Sequence, residues 1–314
     1  MPFDGIFVRS ISQELDQTLQ GGRIGKIYQV GRDTIIVPVR ANGENYKLLL
    51  SSNANAARIY LTEKQFENPD SPPVFCMLLR KHLSGGIIKG IVTSGFERIV
   101  TILTEATDEL GDRSIKKLVI EIMGRHSNII LLNKDDKIID AIKHVGFEVN
   151  RVRELLPART YILPPAQDKL DPAQDETYEI LLKDAPLCGR KVESFLLDRL
   201  QGFSPVLCRE VCFRAGIEDS KPASELTQNE AVLLTEVIRD LMHELQGEGP
   251  SPVIVFGDSG ARAIDFHCTN LTQYQASKKY DSISSTVDTF FALKNNREFS
   301  SQRANDLLKL VEKQ

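Results

Sequence analysis

The sequence predicts an α+β chain: a β-rich N-terminal domain of sandwich or barrel type, a helical domain, and the start of a long final helix. Three observations predict it. Short apolar runs alternate with turn residues from Arg23 to Pro165, and helical periodicity takes over from Gln167 to Leu245. The last helical run, beginning at Thr286, reaches Gln314 without a cap, as at the start of a coiled coil. The expected units are residues 1–166, 167–250, 251–285 (a small β-hairpin return segment) and 286–314.

In chain order, Phe7, Ile11, Leu15 and Leu19 fall four residues apart, so Phe3 to Leu19 is expected to be an amphipathic helix. Asp4 stands at its N-cap and Gly21-Gly22 stops it. Ile24–Val30, Thr34–Val39 and Tyr46–Leu50, separated by turn residues, form an antiparallel meander. Arg58–Leu61 is a further strand and Phe75–Leu83 a short basic helix ending at Gly85-Gly86. Ile87–Val92, Arg98–Leu103, Leu118–Met123, Asn128–Leu132 and Lys137–Ala141 follow as strands, with Gly111-Asp112 at a hairpin tip. Val253–Phe256 and Ala261–Asp265 make a second hairpin.

With 314 residues the chain can bury two or three cores. No apolar run approaches the roughly 20 residues that span a bilayer, and Met1 to Gly5 carry no basic segment followed by an apolar one. Five Cys at irregular spacing fit reduced thiols, so the expected location is the cytoplasm. A net charge of −4 argues against indiscriminate polyanion binding. Cations nevertheless gather at Arg80, Lys81, His82, Lys89 and Arg98, and at Arg151, Arg153 and Arg159, while residues 218–248 are mostly acidic. A nucleic-acid contact would therefore be a local patch on an acidic body.

The stretch Glu121 to Asn133 holds Gly124, Arg125, His126 and Ser127 between two apolar runs. Two readings stand side by side: a four-residue hairpin turn, or a polar cluster shown on a rigid sheet to grip phosphate, sugar or base edges. Gly202-Phe203-Ser204-Pro205 reads as a helix–turn–helix corner, with Ser204 as N-cap and Pro205 at the first helical position. Its helix N-terminus, with Arg209 or Arg214, could also hold a phosphate. Cys208 and Cys212 share a helix face without a second metal pair and are expected as core thiols. Glycine-rich phosphate loops, Gly-x-Ser-x-Gly and His-Glu-x-x-His are absent, so no metal or triad chemistry is expected. Glu97 and Arg98 precede a strand; they reach one ligand only if the chain kinks there. Pro2 could act as the amine of an abasic-site lyase, yet Phe3 stands where DNA glycosylases of that type carry Glu.

Taken together these strings resemble the NFACT family. The resemblance rests on Phe3-Asp4-Gly5, Leu79-Arg80-Lys81-His82-Leu83, Glu97-Arg98-Ile99-Val100 and the run from Glu121 to Leu131. Leu155-Leu156-Pro157 through Tyr161, Pro164-Pro165 and Gly202-Phe203-Ser204-Pro205 agree as well. It implies an NFACT-N domain related to the glycosylase N-terminal fold, a helix-hairpin-helix-like domain, and a coiled coil whose second arm and NFACT-R domain lie beyond this chain. It further implies ribosome-associated quality control: binding to a large ribosomal subunit obstructed by peptidyl-tRNA and recruitment of alanyl-tRNA for untemplated alanine tailing. On that reading the chain is not an enzyme, needs no cofactor or metal, and does not engage a membrane. The family's functional Asp-Arg pair falls on Glu97 and Arg98, with an acid one methylene longer, and its acidic first-helix residue falls on Asp4. Expected tRNA contacts are Asp4, Arg80, Lys81, Glu97, Arg98, Arg125, His126, Asn128 and Arg209. The rival readings are a fibronectin-binding surface adhesin, a label some family members carry, and a DNA glycosylase or abasic-site lyase.

Overall fold

A computed structural model describes residues 3–67, 71–107, 111–257, 260 and 262–296. Helix α1 (Gly5–Leu19) is buried on nearly every side of its first two turns, with Gly5, Ile6, Phe7, Val8, Ser10, Ile11 and Ser12 all enclosed. A helix enclosed all round must lie at the centre of its fold. Here it does, touching strands β3 (Thr34–Ala41), β5 (Arg58–Leu61), β6 (Ile87–Thr93) and β7 (Ile99–Thr107).

Ten strands make one antiparallel sheet around it. The order is β10-β9-β8-β7-β6-β1-β3-β4-β5, with β2 (Tyr28–Val30) also on β3. Two meanders are visible in this order: β2 to β5, including β4 (Glu44–Ser51), and β6 to β10. The second continues through β8 (Arg113–Glu121), β9 (Asn128–Leu132) and β10 (Ile138–Ala141). They join through β1 (Arg23–Ile24), which pairs with β3 on one side and β6 on the other. The single strand expected over Ile24–Val30 is broken into β1 and β2, which both pair with β3 but one residue out of register with each other. One apolar core takes Ile35, Val37 and Leu50 from the first meander and Ile88, Leu118 and Ile120 from the second.

Helix α2 (Val74–Leu83) lies between the two meanders in sequence and packs on β7 and β10. The helical region holds α3 (Asp175–Asp184), α4 (Val192–Arg199), α5 (Pro205–Arg214) and α6 (Gln228–Gly247). Thr227 and Glu230 close a reciprocal cap on α6, and hydrogen bonds from Lys221 and Thr227 hold the Glu230 carboxyl down at about 2. Strands β11 (Val253–Phe256) and β12 (Ala263–His267) form the expected second hairpin. A third strand, β13 (Ser277–Lys279), adds to its other edge. Its Ser-Lys-Lys string is fully exposed and carries no apolar alternation, so periodicity could not find it.

Residues 283–296 are helical, three residues earlier than expected. The cause is remote: the Glu14 carboxylate of α1 accepts the N–H groups of Ile283 (2.6 Å) and Ser284 (2.9 Å) and so caps that helix from another part of the chain. The expected coiled-coil continuation, 297–314, lies outside the described residues, as does Pro2. Among the described residues no helix is long and apolar enough to cross a membrane.

Two glycines set how closely the β-rich and helical regions meet. A Cβ on Gly5 would sit 1.9 Å from the Phe96 carbonyl oxygen and 2.6 Å from the Gly202 Cα. Gly202 itself has φ +80° and packs under Phe96. Gly5→Ala must push these backbones apart, and is expected to lower stability by about 1–3 kcal/mol or more. Urea unfolding measures this; an unchanged midpoint would refute the close approach.

Candidate functional site

Where α1, the β6–β7 turn and the start of α5 converge, they enclose a cleft of about 530 Å³. Its walls include Asp4, Glu97, Arg98, Lys169, Gln201 and Ser204. Thus the Phe3-Asp4-Gly5, Glu97-Arg98 and Gly202-Phe203-Ser204-Pro205 strings, far apart in sequence, share one place.

Asp4 is the knot. As N-cap of α1 its Oδ1 accepts the Phe7 N–H at 2.8 Å, the capping role expected of it. Its Oδ2 accepts the Ser204 hydroxyl at 2.6 Å and faces His267 Nε2 at 3.1 Å. His267 Nδ1 accepts the Thr269 N–H at 3.3 Å, so the tautomer with its proton on Nε2 satisfies both contacts. Ser204 in turn caps α5, accepting the Leu207 N–H at 3.4 Å. With only 4% of its surface exposed, Asp4 holds the cleft's floor more than it offers itself to a ligand.

Glu97 and Arg98 line the same wall. The chain turns at Gly95 (φ +55°) and bends at Arg98 before β7 begins, so the kink needed to bring both to one ligand is present. Gln201 Nε2 donates to Glu97 Oε1 at 2.9 Å, which fixes the acid against the helical side of the cleft. Among the described residues no acceptor lies within hydrogen-bond or ion-pair distance of the Arg98 guanidinium.

The Glu121 to Asn133 stretch is a hairpin. β8 and β9 pair with Glu121 opposite Asn128, and a short 3-10 turn, Gly124–His126, joins them. Both readings of this stretch leave a trace in it. Arg125 and His126 are exposed, and Arg125 Nε donates to His126 Nε2 at 3.0 Å. Ser127 and Asn128 point the other way. Ser127 Oγ accepts the Met123 N–H at 2.8 Å, and the buried Asn128 amide donates to Lys143 O at 2.8 Å and accepts Lys143 N at 3.1 Å. Asn128 is thus a strut inside the sheet edge, with no surface for RNA. Lys143, which no motif marked, sends its ammonium to the carbonyls of Ser52 and Ser127, and burial lowers its pKa.

The other expected contacts lie outside the cleft. Arg80 donates to Ile27 O at 2.6 Å and stacks 5.5 Å from the Tyr28 ring centre. Lys81 follows it on the outward side of α2. Arg209 is paired with Glu193 at 2.6 Å. Of the basic stretch at Arg151, Arg153 and Arg159, only Arg153 leaves the surface: it is 8% exposed and grips the fully buried Glu121 through two 2.6 Å bonds. Tyr161 adds a 2.7 Å bond to the same carboxylate, and burial followed by that charge raises its phenol. Arg159 pairs with Glu154. Cys208 and Cys212 sit in the core, where burial pushes Cys212 up to about 12 and Cys208 well above the usual thiol range. Among the described residues no three His, Cys, Asp or Glu side chains gather to hold a metal.

A β-rich platform and a helical region abutting it, with an open acid–guanidinium cleft where they meet, define an α+β protein. Residues 4–314 match the family model for NFACT N-terminal and middle domains. The chain is 37% identical over 313 residues to the Rqc2 homolog RqcH of Bacillus subtilis (strain 168), covering 99% of this chain and 52% of that protein. Over 151 residues it is 27% identical to the human ribosome quality control complex subunit NEMF, covering 48% of this chain and 13% of that protein. Among solved structures, the fibrinogen binding protein from Staphylococcus aureus superposes with a TM-score of 0.77 at 33% identity. That match covers 93% of this chain and 99% of the other. The N-terminal part of the fibronectin/fibrinogen-binding protein from Streptococcus suis gives 0.77 at 31%, covering 92% and 99%. The chain belongs to the NFACT family. It spans about half the length of the bacterial curated relatives it matches.

Glu121→Gln leaves the Arg153 guanidinium buried beside a neutral amide, so it is expected to cost roughly 3–5 kcal/mol. Denaturant titration checks this, and a loss below 1 kcal/mol would show the pair to be dispensable.

Proposed function

We propose that this chain is the RNA-gripping part of a ribosome-associated quality-control factor. In this reading the cleft takes a tRNA through unstacked bases of its anticodon arm. The whole protein, bound to a large subunit obstructed by peptidyl-tRNA, recruits alanyl-tRNA for untemplated alanine tailing. Peptide-bond formation belongs to the ribosome, so the chain acts in the cytoplasm as a selector and not as a catalyst.

One observation carries the reading. Arg98 stands half-buried in an open cleft with no acceptor among the described residues, beside a carboxylate that Gln201 already holds. A guanidinium in that state suits a guanine edge or a phosphate, and Glu97 keeps a second oxygen for an amino group. A rigid sheet that presents such groups at a strand end suits RNA loops, whose bases are splayed out for contact. The names of the RqcH and NEMF relatives point the same way. Arg125 and His126, exposed on the neighbouring turn, supply further phosphate contacts, and Arg80 and Lys81 contribute only at the periphery.

Arg98→Ala is expected to weaken tRNA capture by roughly 1–3 kcal/mol, about 5- to 150-fold, with folding unchanged. Sequencing and quantifying RNA that copurifies with the full-length protein tests it, and undiminished alanyl-tRNA in the variant would sink the assignment.

A second reading follows the names of the solved relatives, a fibronectin- or fibrinogen-binding surface protein. Side-by-side titration of immobilised fibronectin, fibrinogen and tRNA separates the two. The quality-control reading expects saturable binding to tRNA alone.

A further inference from the structure

A second cleft, of about 490 Å³, opens on the outer face of the first meander and shares no residue with the Glu97–Arg98 cleft. Strand register shows how it is built. Arg23 of β1 lies directly across from Arg40 of β3, Arg40 across from Asn45 of β4, and Pro38 across from Lys47. Side chains directly opposite share a face, and so do residues two apart on one strand. Arg23, Arg40 and Lys47 therefore stand together, joined by Lys64 on the far rim.

Like charges directly opposite on neighbouring strands repel. Folded proteins usually place a carboxylate between such cations, and among the described residues none stands there. No acidic side chain is among the described residues that line the cleft, in a chain whose net charge is −4. The partners these cations have are neutral oxygens: Gly85 O for Arg23, Asn45 Oδ1 for Arg40, and the carbonyls of Glu63 and Lys64 for Lys47. Glu44, exposed nearby, accepts from the Tyr46 hydroxyl at 2.8 Å. Four cations thus surround a concave space that also presents the rings of Tyr28 and Phe66. Lys64 lies 5.7 Å from the Phe66 ring centre, and Lys26 lies 5.9 Å from that of Tyr28.

We propose that this face is a nucleotide-binding site, with a phosphate between Arg23 and Arg40 and a base stacked on Tyr28 or Phe66. Cation pairs against a phosphate and a flat ring against a base are the two halves of single-strand recognition. The shared chemistry is a base joined to a phosphate, either a free mononucleotide or one nucleotide within an RNA strand. The site is independent of the Arg98 cleft.

The full chain is titrated with a fluorescently labelled oligouridylate, with uridine monophosphate, with uridine and with inorganic phosphate. Arg23→Ala/Arg40→Ala is compared with the parent and with Arg98→Ala, and circular dichroism and the urea midpoint verify folding. The double variant is expected to bind the oligomer at least tenfold more weakly, and its salt dependence to fall by about 0.7 per lost phosphate contact. The double substitution is also made in the Arg98→Ala background, where RNA held by the tRNA cleft is removed and the same tenfold loss is expected, so failure of the tRNA cleft and failure of this site are distinguishable. Binding of oligomer and monophosphate assigns a nucleotide site open to free ligand, and binding of oligomer alone assigns it to RNA. Equal affinity of the folded double variant and the parent, or no binding of either ligand by the parent, overturns the proposal.

Discussion

The Asp4 carboxylate is the constraint on which the arrangement depends. One oxygen caps α1; the other receives Ser204 from the start of α5 and His267 from the end of β12. Ser204, 200 residues from Asp4, and His267, 263 residues from it, are thus tied to the start of α1 at a single buried acid. A buried carboxylate is tolerated only when its acceptor sites are filled, and here each donor comes from a different element. The cap is thus also a tertiary joint. It explains why the α1 start and the helix–turn–helix corner arrive at the same cleft.

The same logic recurs along α1. Asp16 accepts the Ile91 N–H at 2.7 Å, where the β6–β7 register slips between Ile88 and Gly90. Glu14 caps the final helix. Each acid satisfies backbone groups that have lost their regular partner, so a helix enclosed by apolar neighbours still carries polar side chains at no unpaired cost. On the opposite side, Glu121, Arg153 and Tyr161 form a buried triad that fixes the segment after β10 against β8. The hairpin turn bearing Arg125 and His126 therefore rests on a stiff base.

Much of the fold was legible in the sequence because it is local. Short apolar runs bounded by turn residues placed β5 and β9 to the residue, and Ser204-Pro205 announced the start of α5. What escaped was set by distance. The break after Ile24 is a one-residue shift of register against β3, and the early start of the last helix depends on Glu14, about 270 residues away. The site shows the same division. Side-chain type alone grouped Asn128 with Arg125 and His126, yet Asn128 lies in a strand buried at every position and is spent on the Lys143 backbone. Arg153 looked like surface charge until its partner 32 residues earlier was placed beside it. Gln201, next to a conspicuous glycine, gave no signal, because an amide earns notice only through what it holds.

That amide bears on how the acid–guanidinium couple works. Adjacent residues on a regular strand point to opposite faces, and a Glu beside an Arg in solution would close an ion pair worth little. Here the bend at Arg98 brings both to one wall, which by itself would favour their pairing. Gln201 takes Glu97 Oε1 instead, from the helical side, so the carboxylate is drawn across the cleft and the guanidinium is left with open donors. The longer reach of Glu, compared with the Asp expected at this position, makes that span to Gln201 easier. Asp4, which lines the same cleft, is already committed to Phe7, Ser204 and His267, so among the described residues neither acid closes on Arg98 and its donors stay open.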